Sequence, residues 1–205
     1  MEQQITPTRS NLLQTREMLA LAREGHEILD KKREVLTSTL LRLAEEAQAQ
    51  QAALHAALAV AYAALAEARQ TMGRERLEWV AMAVQKSVEV EITLHSIMGV
   101  ATPTIAAQGG PPEMAYSPGD TPVALDEAVA QFRAALALLP ETAATLTTVW
   151  RLARELQKTQ RRVNALQHVL IPRYEAAVTS IANALEERER EETFRLKRLK
   201  GRQER

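Results

Sequence analysis

Residues 149–200 read VWRLARELQKTQRRVNALQHVLIPRYEAAVTSIANALEEREREETFRLKRLK, and their apolar residues return every three or four positions. One row recurs in steps of seven and a second row is interleaved with it: the first is Val149, Leu156, Val163, Leu170, Ala177 and Ala184, and the second is Leu152, Thr159, Leu166, Val178, Ile181 and Leu185. Such a repeat gives a narrow apolar stripe that packs on a partner helix in a left-handed coiled coil. The stretch therefore predicts a coiled-coil helix about 78 Å long rather than part of a globular core.

Pro172 lies inside this stripe. A proline removes a backbone donor and its ring crowds the preceding turn, so it usually kinks or ends a helix. The apolar stripe continues beyond it, which favours one continuous helix that is bent or loosened at Pro172. Two helices separated by a break are the alternative.

The composition is that of long helices. Aromatic residues make up 3% of the 205 residues and glycine contributes 7, whereas Lys plus Arg and Asp plus Glu are balanced at 26 each. A net charge near zero gives no chain-wide attraction to nucleic acid or anionic lipid.

The absence of cysteine excludes disulfides and thiolate chemistry. We expect no signal peptide and no membrane-spanning segment, because neither a basic start followed by an apolar run nor an apolar stretch of about 18 residues is recognisable.

The N-terminal part, residues 6–72, also has a helical period. Thr6-Pro7 predicts the start, with Thr6 as N-cap and Pro7 at the first helical position. Gly73 is predicted to be a C-cap or a joint. We expect this helix and the C-terminal one to share a coiled-coil seam formed by Leu29, Leu36, Leu43, Leu156, Val163, Leu166, Leu170 and Ile181.

The middle segment, residues 73–122, has a different pattern. Residues from Arg74 to about Lys86 are predicted to form a short helix or a continuation of the first helix, with Trp79 as the anchor. Beyond it, apolar and polar residues alternate strictly, which predicts a strand; the apolar set is Val88, Val90, Ile92 and Leu94. We expect a β-hairpin at about 88–107 whose apolar face packs on the helices or on a partner and adjusts activity. A Gly- and Pro-rich loop is predicted at 107–122.

The second long helix is predicted at 123–200, with an interruption or kink at Pro140, and residues 201–205 form a short tail. The predicted fold is mainly α: a long antiparallel two-helix coiled coil formed by the N- and C-terminal helices, with a small hairpin-containing foot in the middle. Antiparallel pairing within one chain is expected because the foot turns the chain around between two segments that both carry seams.

No pattern for chemistry emerges from the sequence. Neither a phosphate-binding glycine loop nor a dinucleotide fingerprint occurs, and no two of the four histidines stand three or four residues apart. We therefore expect no catalytic, cofactor-binding or metal site. The alternating Glu and Arg residues of 186–192 are best explained as a self-paired, solvated helix face.

Several segments, in chain order, resemble the D subunit of the V-type/A-type rotary ATPases, and most closely its bacterial and archaeal members. They are Pro7-Thr8-Arg9 with Leu12-Leu13, Lys31-Lys32-Arg33-Glu34, Ser96-Ile97-Met98-Gly99-Val100, Thr159-Gln160-Arg161-Arg162-Val163-Asn164-Ala165-Leu166, Ile171-Pro172, Glu187-Arg188-Glu189-Arg190-Glu191 and Phe194-Arg195-Leu196-Lys197-Arg198. The resemblance implies a non-catalytic central rotor shaft at the cytoplasmic face of the membrane. Its implied partners are a hexamer of A and B subunits, the small F subunit, and a funnel-shaped subunit above the membrane ring.

Within that resemblance, the charged helix end is expected to contact the A/B hexamer through Arg188, Arg190, Arg195 and Arg198. A turning part can exchange weak charged contacts more readily than deep apolar ones. Two alternatives remain open. One is a free-standing coiled-coil adaptor or export-stalk scaffold, and the other is a nucleic-acid-binding coiled coil suggested by the basic residues of 195–205.

Overall fold

The computed structural model describes residues 6–83, 88–109, 116 and 121–203. Helix α1 covers Arg9–Met72 and α2 covers Arg74–Ala83, followed by strands β1 (Glu89–Ile97) and β2 (Val100–Gln108). Helix α3 (Val123–Ala165) continues through a π-helical turn (Leu166–Leu170) into α4 (Ile171–Gln203). The predicted mainly helical fold with a small central hairpin is confirmed. The chain forms two compact units, residues 1–35 with 157–205 and residues 36–156.

Both ends of α1 have defined caps. The hydroxyl of Thr8 accepts a hydrogen bond from the N–H of Asn11 at 3.2 Å, and its carbonyl accepts one from Leu12 at 3.0 Å. Thr8 is therefore the N-cap, and the prediction of Thr6 was wrong by two positions; Thr6 lies in the incoming chain, where its carbonyl accepts a bond from the Asn11 side chain. Gly73 has a φ of 81°, and its N–H bonds to the carbonyl of Arg69, which confirms the predicted C-terminal cap.

In the first unit, the start of α1 and α4 pair antiparallel. Arg9 bonds to Glu189, and Arg23 bonds to Glu175. Between these pairs the chain advances from 9 to 23 in α1 and goes back from 189 to 175 in α4, equal steps in opposite directions. The residues buried in this unit are Thr15, Ala22, Thr159, Val163 and Ile181. The ion pairs are exposed, so the apolar seam supplies most of the stability of this pairing.

In the second unit, α1 and α3 pack through leucines and small residues. The buried positions are Leu36, Ala47, Leu54, Ala61 and Ala68 in α1, and Leu125, Ala128, Ala135, Thr142, Thr148 and Leu152 in α3. The rings of Tyr62 and Phe132 meet edge to face at 5.3 Å. Among the eight predicted seam residues, Leu36, Val163 and Ile181 are buried; Leu29, Leu43, Leu156, Leu166 and Leu170 are half-buried.

The two prolines have different surroundings. Helix α3 runs through Pro140 without interruption, so of the two predicted outcomes the interruption was wrong and the kink stays a prediction. The buried residues Ala135 and Thr142 hold the seam on either side of it. Pro172 lies two residues after the π turn, at whose end the N–H of Ile171 bonds to the carbonyl of Leu166. The predicted continuous but loosened helix is confirmed, and the loosening takes the form of this wider turn.

Helix α2 uses its aliphatic residues for packing. Leu77 and Val80 lie against a cluster of Ala68, Leu125 and Ala128. Trp79 is 78% exposed, so its predicted role as the anchor was wrong. Leu77 and Val80 share one side of α2 by their spacing of three, whereas Trp79 lies outside that side.

The hairpin agrees with the prediction to within one residue at each end. Strands β1 and β2 are antiparallel, with Ile97 opposite Val100 and Glu89 opposite Gln108. Met98 and Gly99 form the turn with φ values of 51° and 80°, as a type I′ turn requires. The predicted loop at 107–122 lies mostly outside the described residues.

One described helix, α1, passes a simple length-and-composition test for crossing a membrane. An 18-residue window within it reaches a mean hydropathy of 1.2, with 11% of that window buried. Alanine provides much of this hydropathy, and core helices of water-soluble proteins pass the same test. The expectation of no spanning segment stays a prediction.

Candidate functional site

The described residues contain no group of three or more His, Cys, Asp or Glu side chains arranged to hold a metal ion. Four surfaces carry unusual side chains instead. They are the charged end of α4, the face of the hairpin, an apolar stripe on α3, and the region around α2.

The charged end of α4 covers residues 186–198, all of them exposed. Arg190 lies 3.8 Å from Glu186 and 3.6 Å from Glu187, and Arg195 lies 3.8 Å from Glu191. These pairs join residues three or four positions apart, as expected on one helix face. Arg188 donates to the carbonyl of Pro7 at 2.9 Å and so ties this end of α4 to the chain that enters α1.

The four predicted contact arginines therefore differ in their surroundings. Arg190 and Arg195 pair within α4, Arg188 reaches Pro7, and Arg198 lies exposed beyond them. Phe194 stands among these charges with 71% of its side chain exposed, beside a shallow groove of about 400 Å³ that Glu186, Arg190 and Lys197 also line. Sequence reasoning did not single out Phe194 as a surface residue of this end.

The apolar face of β1 is exposed. The exposed fractions are 41% for Val88, 56% for Val90, 60% for Ile92 and 64% for Leu94. Ile105 and Ala107 of β2 lie on the same face, and with Val88 they line a groove of about 550 Å³ whose other wall is α3 from Arg133 to Glu141. The end of the hairpin that carries the Met98-Gly99 turn is attached to α3. There Arg151 donates to the carbonyl of Ala101 at 2.8 Å, and Thr102 and Pro103 are buried.

The apolar stripe on α3 consists of Leu139, Leu146 and Trp150. Their exposed fractions are 41%, 39% and 63%. The guanidinium of Arg154 lies 5.4 Å from the centre of the Trp150 ring, a cation–π arrangement. The spacing of seven and four residues places the three on one helix face, a signal that was present in the sequence but was not singled out by sequence reasoning.

A family model for the D subunit of ATP synthase matches residues 11–201. This chain belongs to the ATP synthase D-subunit family. The chain is 39% identical over 196 residues to the D subunit of the V-type ATP synthase of Thermotoga neapolitana, covering 96% of this chain and 97% of that protein. It is 38% identical over 200 residues to the D subunit of the A-type ATP synthase of Thermococcus gammatolerans, covering 96% and 94%. It is 40% identical over 198 residues to the D subunit of the V-type ATP synthase of Thermus thermophilus, covering 97% and 88%.

A further exposed region of this D-subunit family member surrounds α2. Trp79 and Met82 are 78% and 87% exposed, and Trp79 borders a groove of about 470 Å³ that Met72 and Tyr116 also line. The hydroxyl of Tyr116 donates to a carboxylate oxygen of Asp126. Burial, then this hydrogen bond, then the charge of Asp126 raise the pKa of Tyr116 to about 12. Tyr116 thus keeps its proton, and its bond to Asp126 in the first turn of α3, to a higher pH than an ordinary tyrosine would.

Proposed function

We propose that this chain is the central-stalk rotor subunit of a V/A-type rotary ATPase or ATP synthase. In this role it transmits torque between ATP hydrolysis or synthesis in an A/B hexamer and ion translocation through a membrane ring. Catalysis belongs to the hexamer, and the chain itself is non-catalytic. The complex that contains it lies at the cytoplasmic face of the membrane.

The observation that carries the proposal is the antiparallel pairing of α1 and α4 in the first unit, in a chain of this family. Arg9–Glu189 and Arg23–Glu175 link the two helices at points 14 residues apart on each, which is about 21 Å of helix. Two helices joined along a seam resist twisting more strongly than a single helix, because a twist of one must displace side chains of the other. Such a pair can carry torque along its axis.

The exposed surfaces differ in a way that suits rotation. The end of α4 offers charges, whose solvent-exposed ion pairs are worth about 0–1 kcal/mol each. Contacts of this strength can be exchanged from one A/B interface to the next as the rotor turns. This end also exposes Phe194, Leu196 and Leu199, but within a run of charged residues, whereas the second unit exposes Trp79, Met82 and Trp150 among fewer charged residues. Apolar surface suits partners that remain bound while the rotor turns.

This contrast leads to an arrangement of partners. We place the A and B subunits around the end of α4 and the funnel-shaped subunit against the exposed residues of α2. The F subunit is placed on the stripe of Leu139, Leu146 and Trp150, where an amphipathic helix could cover the three side chains. Each placement predicts a contact that cross-linking can test separately.

The absence of cysteine allows a direct experiment on rotation. A single cysteine would replace Arg190, and the variant would be assembled with A, B and F subunits and cross-linked to a cysteine on the inner wall of the hexamer. A rotor predicts that ATP turnover stops on cross-linking and returns on reduction. A cysteine at Gln48, an exposed position of α1, serves as a matched control for labelling. Unchanged turnover in the cross-linked complex would contradict the proposal, and failure to assemble with A, B and F would favour the free-standing adaptor.

A further inference from the structure

The hairpin has two edges, and the turn fixes which backbone groups point outward. A two-residue turn makes Ile97 and Val100 a hydrogen-bonded pair, and bonded and non-bonded pairs then alternate along the ladder. The N–H and C=O groups of every second residue therefore face away from the partner strand. On β1 these residues are Val90, Ile92, Leu94 and Ser96; on β2 they are Ala101, Pro103, Ile105 and Ala107.

The edge of β2 is obstructed. Pro103 occupies an outward-facing position and has no N–H to offer, which is where a sheet tolerates proline. Two residues away, the outward carbonyl of Ala101 accepts the hydrogen bond from Arg151. Thr102 and Pro103 are buried, so this part of the edge is covered.

The edge of β1 has neither feature. Within the described residues the sheet contains two strands, so β1 has no neighbour on its outer side. Its outward-facing residues include Val90, Ile92 and Leu94, each more than half exposed. A long, exposed, apolar strand edge is normally blunted by charge, proline or a covering element, because it otherwise pairs with another chain.

The other face of β1 carries acidic side chains. Glu89 and Glu91 alternate with the apolar residues and are exposed. We propose that the outer edge of β1 is a strand-addition site for an extended segment of a partner protein in which apolar and basic side chains alternate. Main-chain hydrogen bonds would supply affinity, the apolar residues would cover Val90, Ile92 and Leu94, and the basic residues would face Glu89 and Glu91. A second copy of this chain brings the same two carboxylates and offers no complementary charge.

Binding of a designed peptide to the full chain tests the proposal. The probe is a nine-residue peptide that alternates Lys with Val or Ile, matching the nine residues of β1; its control has Glu in place of every Lys. We expect the Lys peptide to bind and to slow hydrogen exchange at Val90, Ile92 and Leu94. The Glu peptide should bind at least about tenfold more weakly, since it places like charges together.

Two variants at one position separate strand addition from simple apolar contact. Ile92→Ala truncates the side chain but keeps the outward N–H. Ile92→Pro also removes that N–H. Position 92 faces outward in β1 as Pro103 does in β2, so the hairpin should tolerate a proline there. Peptide binding should be at least about fivefold weaker to Ile92→Pro than to Ile92→Ala. A cross-strand contact between Thr93 and Thr104 in NMR spectra would show that the hairpin is intact.

Three results would overturn the proposal: equal binding to the two variants, equal binding of the two peptides, and no binding of the Lys peptide at millimolar concentration. Self-association of the unmodified chain through β1 would also overturn it, because the occupant would then be a second copy. The proposal does not depend on rotation, so its failure and that of the rotor function are distinguishable.

Discussion

The guanidinium of Arg9 lies 2.6 Å from the carboxylate of Glu189, although 180 positions separate them in the chain. This contact brings the first turn of α1 to the charged end of α4. Both side chains are largely exposed, at 82% and 59%. The pair therefore adds little to stability. Its main effect is on the register of the two helices, that is, on which residues of α1 lie beside which residues of α4.

The first prediction concerns this pair. Arg9→Glu places two carboxylates together and should speed amide exchange in the first turns of α1, whereas the double variant Arg9→Glu with Glu189→Arg should restore the original rates. The free energy of unfolding should change by less than about 1 kcal/mol in each case. The difference in amide exchange rate between the single and the double variant should shrink at high salt, where exposed charges are screened. Equal exchange rates in the single and double variants would show that the pair does not hold the two helices level.

The second prediction concerns the buried seam. Leu36 is fully buried, and Leu36→Ala should lower the free energy of unfolding by about 2–4 kcal/mol because it removes apolar contacts and leaves a cavity. Leu41 lies on the same helix and is 64% exposed. Leu41→Ala should therefore change the free energy of unfolding by about 0.5 kcal/mol or less. Urea unfolding of both variants compares them directly, and similar losses would contradict the assignment of Leu36 to the seam.

The long helices and the hairpin could be predicted because each follows a regular repeat. The steps of seven from Val149 to Ala184 are a helical signal that no strand could satisfy, and the alternation from Val88 to Leu94 is a strand signal that ends at Gly99. In the long helices the apolar stripe is also the side that packs, as at Leu152 and Val163, whereas the apolar residues of β1 form the predicted strand although they are exposed.

Other features depend on contacts between segments that are distant in sequence. Ala61, Ala68 and Ala128 are buried because the two helices approach closely, and an alanine-rich sequence alone does not show which alanines face the partner. Trp79 was expected to be the anchor of α2, but Leu77 and Val80 make the contact with the core cluster, and the sequence of a short helix did not show which side faces that cluster. Pro172 predicted a disturbance in the helix. That the disturbance takes the form of a π turn at Leu166–Leu170 can be seen only in the folded backbone.

The third prediction concerns Tyr116 and Asp126. The pKa of Tyr116 is raised to about 12, while an unfolded chain releases the same proton near pH 10. The folded state therefore holds more protons between about pH 10 and 12, and the free energy of unfolding falls as pH rises through that window. Tyr116→Phe should remove this part of the pH dependence. Asp126→Asn should lower the pKa of Tyr116 only partway, since burial remains; tyrosinate absorbance measures this, and an unmoved pKa would contradict the assigned role of Asp126.

The fourth prediction concerns the attachment of the hairpin. Arg151→Met keeps the aliphatic stem but removes the donor to the Ala101 carbonyl, so amide exchange in β1 and β2 should speed up while helix content by circular dichroism stays the same. Arg154→Met is a matched control one turn away, because Arg154 lies over Trp150 rather than the hairpin. In the complex with A and B subunits, Arg151→Met should change the ATPase rate without preventing assembly. Loss of helicity would show that the hairpin is needed for folding.

The last prediction concerns the four arginines at the end of α4. Changing Arg188, Arg190, Arg195 and Arg198 to Gln removes their charges from an exposed helix surface, where substitutions normally change stability by about 0.5 kcal/mol or less each. The complex with A, B and F subunits should still assemble and hydrolyse ATP, but fewer ions should be pumped per ATP, because the charged contacts that resist slippage are lost. Changing the same four residues to Lys keeps the charges but not the bidentate geometry of the guanidinium, so a partial loss is expected. Since Arg188 also bonds to the carbonyl of Pro7, Arg188→Gln alone separates the effect of that internal tie. Pumping per ATP that matches the unmodified complex in the fourfold Gln variant would leave these arginines a role in solubility alone.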